Sequence, residues 1–149
     1  MNIYTIGFTK KSAEQFFNLL KKNNIKYIID VRLNNANQLA GFTKGNDLQY
    51  FLKELLGIGY IHDTLLAPSK EILNAYRDKS ISWDELEEKF TELMEEEKIK
   101  KHITEDINGI LEGSCLLCSE ETPDYCHRRL VAEYIQKEYG GEEIEIIHL

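Results

Sequence analysis

At 149 residues, 42% hydrophobic and 30% charged, the chain is long enough to bury a sizeable core and has no apolar run near the roughly 20 residues of a membrane span. A formal net charge of −8 argues against broad binding to nucleic acid, so any phosphate contact must come from a local basic pocket. Three cysteines are too few for a disulfide scaffold, and the opening MNIYTIGFTKKS enters a strand rather than a signal peptide, so the expected location is cytoplasmic, with no membrane association.

Residues 2–7 (NIYTIG) form a β-rich run ended by glycine, a first strand. Residues 12–23 follow as an amphipathic helix, with Ala13, Phe16, Phe17 and Leu20 on one stripe. The run IKYIIDV from Ile25 is too short for a helix and predicts a second strand. Residues 33–45 are a polar loop holding Asn34, Asn35, Asn37, Gly41 and Gly45. A helix over 47–56 comes next, stopped by Gly57, then a weak third strand over 58–62 and a short helix over 69–78. Ser82 and Glu85 form a capping box for a longer helix that turns Leu86, Phe90, Leu93 and Met94 inward. Its acidic run, 84–97, is expected to be a solvated helix face. Ile99, Ile103, Ile107 and Ile110 extend helical structure. Residues 114–119 give a fourth strand, 126–139 a helix ended by Gly140, and 143–149 a last strand.

Strands alternating with helices, with neither repeat nor linker, predict a single α/β domain over 1–149. The expected fold is a three-layer α/β/α sandwich with a mainly parallel, Rossmann-like sheet of about five strands. Ligands of such sheets sit beyond the carboxyl ends of the strands. Here those ends carry Gly7, Phe8 and Thr9, then Asp30 and Arg32, Tyr60 and His62, Ser119 to Glu121, and His148. One chemically rich rim follows if the strands are parallel.

The segment SCLLCSEETPDYCHRRLVAEYIQKE is the densest part of that rim. Together with T-I-G-F-T, D-V-R, L-L-C-S-E and P-D-Y-C-H-R-R, it gives the chain a resemblance to the family called domain of unknown function 488. The resemblance runs along nearly the whole chain. It implies the positions of a site and no reaction. Many members have a proline and a serine after D-V-R, where this chain has L-N-N-A-N-Q, so no role is assigned to residues 34–38.

Candidate catalytic residues are Asp30, Glu120, Cys126 and His127; candidate ligand-binding residues are Gly7, Thr9, Arg32, Cys118 and Arg128. Arg32 and Arg128 suit phosphate, because a guanidinium grips an oxyanion with two parallel N–H groups. Arg32 could instead pair with Asp30 or Glu120. His127 with Glu120 would make an acid–base pair, unless the imidazole bonds a loop carbonyl. Cys126 opens a helix, where the dipole, His127 and Arg128 would lower its pKa, or it is simply a small buried residue. Cys118 belongs to the strand and Cys115 to the opposite sheet face.

Neither thiol fits a tyrosine-phosphatase loop, since Ala132 and Asp124 stand where the arginine is needed, and acidic 119–125 opposes a rhodanese-type persulfide. Zinc could draw on Cys118, Cys126 or His127 with His62 or His148. Adjacent Cys126 and His127 rarely ligate together, however, and no C-x-x-C…C-x-x-C pattern exists, so no metal is assigned. The residues name no cofactor. The expected function is binding of, or action on, a phosphate-bearing ligand such as a nucleotide or a nucleic-acid end. The alternatives are a thiol enzyme using Cys126 and a non-catalytic interaction module using the acidic 84–97 face.

Overall fold

In the computed structural model, which describes residues 1–36 and 40–149, every apolar run expected as a strand joins one parallel sheet. The strands are β1 (Asn2–Gly7), β2 (Tyr27–Asp30), β3 (Gly59–His62), β4 (Ser114–Cys118) and β5 (Glu145–His148), in the order β3-β2-β4-β1-β5. Strand β4 is central and buried along its whole length, which is why SCLLC shows no polar alternation. Asn37 and Gln38 of the polar loop lie outside the described residues.

Successive strand residues face opposite sides, and each side has its own helices. On one side, Ile6, Ile28, Cys115 and Leu117 pack under α1 (Ala13–Lys22) and α2 (Gly45–Phe51), through Phe16, Leu20 and Leu48. On the other, Ile3, Ile29, Leu116 and Cys118 meet the side chains of α4 (Trp83–Met94), α5 (Glu97–Lys101) and α6 (His127–Ile135). Each fully buried Phe or Leu contributes about 1.5–3 kcal/mol. Helix α3 (Lys70–Arg77) buries none of its residues and packs against α4.

Local signals set the helix ends. Ser12 with Gln15 and Ser82 with Glu85 both form reciprocal capping boxes, and Ser69 caps α3. Such a cap stabilises by about 1 kcal/mol. Gly57, in the left-handed region at φ 64°, stops the π turn Leu52–Leu56 that prolongs α2. The helix expected through Ile110 breaks into α5, a π turn over His102–Asp106 and a 3-10 turn over Asn108–Ile110. Strand β2 starts two residues later than its apolar run, because Ile25 N–H bonds back to Leu20 to finish α1. The final helix gives way at Gln136–Gly140 to a π turn.

The strand order fixes where a ligand can sit. The chain leaves β2 over the α2 face towards edge strand β3, and leaves β4 over the α6 face towards β5. Neighbours β2 and β4 therefore send their connections in opposite directions. A crevice opens between their carboxyl ends at such a switch point.

Candidate functional site

The β2 side of the crevice is built on Asp30, fully buried. Its Oδ1 accepts from Arg32 N–H (3.2 Å) and Arg32 Nε (2.8 Å); its Oδ2 accepts from Arg32 Nη2 (2.7 Å) and Tyr60 Oη (2.6 Å). The carboxylate, expected to move protons, is thus committed to holding Arg32. Burial and then Asp30 push the Tyr60 phenol far above its ordinary range, so it stays a donor. Arg32 Nη2 also donates to Thr43 O at 2.6 Å, and the guanidinium lies 5.3 Å from the Phe8 ring centre. Burial alone would lower the Arg32 pKa, but its bonds to Asp30 raise it. Arg32 Nη1 is buried with no hydrogen-bond partner among the described residues. His62 bonds Arg32 O through Nε2 at 2.7 Å and supports the same turn.

The β4 side rests on a close approach. Gly7 pairs with Cys118, and a Cβ on Gly7 would overlap the Glu120 carbonyl oxygen, so only glycine lets the loop after β4 lie down. Arg128 Nη1 donates to that same carbonyl at 2.7 Å, and Arg128 Nε donates to Thr5 Oγ1 at 3.3 Å. Thr5 Oγ1 meets His148 Nδ1 at 2.6 Å; burial, then Arg128, hold the His148 imidazole below its ordinary pKa. Arg128 is fully buried, and its Nη2 has no partner among the described residues. Thr9 is exposed and ties the two loops through its N–H to Ser119 O, 3.0 Å.

Between these sides lie two thiols and an imidazole. Cys126 holds the N-cap position of α6 in extended conformation, without capping the helix through its side chain. Its free thiol is held above its ordinary pKa by a hydrogen bond with the Cys118 thiol and by burial, opposite to the expected depression. Cys118 is the thiol pushed down, by the bond from Cys126 and against burial. His127 bonds Val31 O through Nε2 at 2.6 Å, and its Nδ1 lies 3.6 Å from Cys118 Sγ. The imidazole is therefore paired with a backbone carbonyl rather than with Glu120, which is exposed. A carbonyl only accepts, so Nε2 carries the proton and Nδ1 is left bare in the neutral ring.

These groups open into a cleft of about 620 Å³ lined by Arg32, Cys118, Ser119, Glu120, Cys126 and His127. Asp30 and Arg128 lie behind that lining and Gly7 and Thr9 beside it, so the expected residues share one rim without all reaching the cleft. The opposite wall was not anticipated. Lys70, Leu73, Asn74 and Arg77 present one face of α3, and Tyr76, Trp83 and Tyr125 stand next to them. Trp83 lies 5.7 Å from Tyr76 and 5.8 Å from Tyr125, edge to face, and Tyr125 is exposed. The spacing i, i+3, i+4, i+7 with cations at both ends was the available signal for that wall.

A parallel, Rossmann-like α/β/α protein with a cleft at its switch point is the class these features define. Residues 12–135 match the family described as domain of unknown function DUF488, and the chain belongs to that family. The match takes in the whole cleft lining, while T-I-G-F-T lies before it. No curated protein and no solved structure matches the chain.

Proposed function

We propose that the protein binds or acts on a phosphate-bearing ligand of the nucleotide or nucleic-acid-end class. The observation that carries this reading is the gathering of Arg32, Lys70 and Arg77 on one cleft in a chain of net charge −8. In such a setting a local cationic pocket selects an anion. The Tyr76–Trp83–Tyr125 cluster beside it offers flat apolar surface for a base or similar ring. Arg32 and Arg77 hold the phosphate, and Asp30 and Tyr60 fix Arg32. Glu120 is the exposed group for proton transfer, and His127 serves as one only while its Nδ1 is unoccupied, the two acting separately rather than as a pair. Arg128 and Gly7 set the height of the loop that carries Glu120, with Thr9 and Cys118 completing the rim. A reducing cytoplasm suits the three free thiols.

The interaction-module alternative gains little support, because the large exposed apolar residues Met1, Tyr50, Leu55, Leu65 and Tyr125 all lie outside 84–97. Titration with mono-, di- and triphosphate nucleotides, followed by Trp83 fluorescence, tests the proposal. Arg77→Ala and Lys70→Ala should each weaken binding about tenfold, the loss of one charge-assisted hydrogen bond. Unchanged fluorescence across the panel and with inorganic phosphate would sink it.

A further inference from the structure

We infer that Cys118, Cys126 and His127 form a binding site for a borderline-soft divalent cation, zinc above all, on the wall of the cleft. One donor atom from each lies within 4.8 Å of the other two, and all three residues are buried yet line the cleft. Zinc takes sulfur at about 2.3 Å and imidazole nitrogen at about 2.0–2.1 Å, so a tetrahedral N–Zn–S angle separates these ligands by about 3.5 Å. Cys118 Sγ lies 3.6 Å from His127 Nδ1 and 3.7 Å from Nε2, beside the ring, so binding requires the Cys118 side chain to turn towards the Nδ1 lone pair as the Cys126 thiol closes in.

An independent feature is the orientation of the imidazole. A metal-bound histidine typically donates its other ring N–H to a carbonyl or carboxylate, which fixes its tautomer. His127 does so already, through Nε2 to Val31 O at 2.6 Å, and Nδ1 is the nitrogen left for a metal. Adjacency of Cys126 and His127 is no obstacle here. Cys126 is extended at φ −130° and ψ 132°, and His127 begins the helix, so the backbone turns between them. The Cys126 thiol is also not spent on capping.

Charge balance favours the same outcome. Binding displaces one proton from each thiol, and two thiolates with a dication leave the buried site neutral. Three protein ligands leave a fourth position, the arrangement of zinc sites that bind water or substrate. Since the ligands line the cleft, an ion there is reachable by whatever occupies it. Cys115, on the other face of the sheet, takes no part.

The test uses reduced, metal-stripped full chain titrated with cobalt(II) alone, so that it is independent of any phosphate ligand. One equivalent should bind, with thiolate-to-cobalt charge transfer and intense tetrahedral visible bands. Cys115→Ala, which adds no polar group at that fully buried position, should keep both signals. Cys118→Ser, Cys126→Ser and His127→Ala should each weaken binding at least tenfold, consistent with loss of one ligand. Because a buried serine could unfold the chain, the spectra of wild type and of Cys115→Ala with unchanged circular dichroism decide by themselves. Cobalt bound without thiolate bands, no stoichiometric binding, or loss of the bands in folded Cys115→Ala would overturn the assignment. So would a Cys118–Cys126 disulfide that forms in air in the presence of excess zinc, since bound thiolates resist oxidation.

Discussion

Arg128 has the largest side chain among those that are fully buried, and no carboxylate partners it among the described residues. A first-turn arginine usually adds little to a core, but Arg128 packs in full against Thr5 and the Glu120 carbonyl. Arg128→Ala should therefore destabilise by about 2–4 kcal/mol, through lost packing and the stranded Glu120 carbonyl. Urea denaturation measures it, and a loss below about 1 kcal/mol would show that the guanidinium is spare. Gly7→Ala forces a methyl into the same carbonyl, and about 1–3 kcal/mol of overpacking is expected by the same assay. The charge of Arg128 was visible in the chain. Its burial was not, because it depends on how closely β1 and β4 approach, a contact between residues over a hundred positions apart.

At the scale of elements, the apolar stripes of α1, α4 and α6 and their caps could be read from the sequence, since both follow local spacing. Helix α3 could not be placed on the site, because its stripe faces a cleft rather than the core, and a lone Trp83 carries no spacing signal that separates a cleft wall from core. The turn after α5 carries a separate expectation about pH. His102 faces Asp63 through Nε2 at 2.7 Å and Asp106 through Nδ1 at 2.9 Å. Burial works against the imidazolium, but bonds to both carboxylates raise the His102 pKa above 6.5. A raised folded pKa gives stability that is present in full below the unfolded value and disappears as pH rises through the folded one. The stability difference between wild type and His102→Gln should thus be largest near pH 6 and shrink above about pH 6.5. A difference that grows towards alkaline pH would show that the imidazolium does not hold this turn.

For the whole molecule, the parallel α/β/α layering was legible, because runs of continuous apolar strands alternate with amphipathic helices. Strand order was not, since the unbroken apolar run of β4 tells that both its faces are covered but not which strands flank it. The overall charge sets a limit on partners. With acids along α4 turned outward and a net charge of −8 set against only local cation groups such as Arg32, Lys70 and Arg77 at the cleft, short phosphate ligands should bind more tightly than long duplexes. Fluorescence anisotropy should show a mononucleotide bound and a duplex of about 20 base pairs unbound near 0.15 M salt. Tight, salt-resistant duplex binding would contradict the repulsion expected from that net charge.

Strand β4 lies between β2 and β1, so neither pairs with the other, and β1 has no earlier strand beside it. During synthesis, β1 and the β2–β3 pair must wait with open hydrogen-bonding edges until residues 114–118 are made. Those edges are templates for wrong pairing between chains. Pairings such as Tyr4 with Cys115 also close very long loops, which places folding in the slow range for a chain of this size. Because the cleft straddles the β2–β4 seam, insertion of β4 joins its two sides. A nascent chain seals the inner edges of β1 and β2 and sets the floor of its cleft in the same event, while the outer edge of β1 waits for β5.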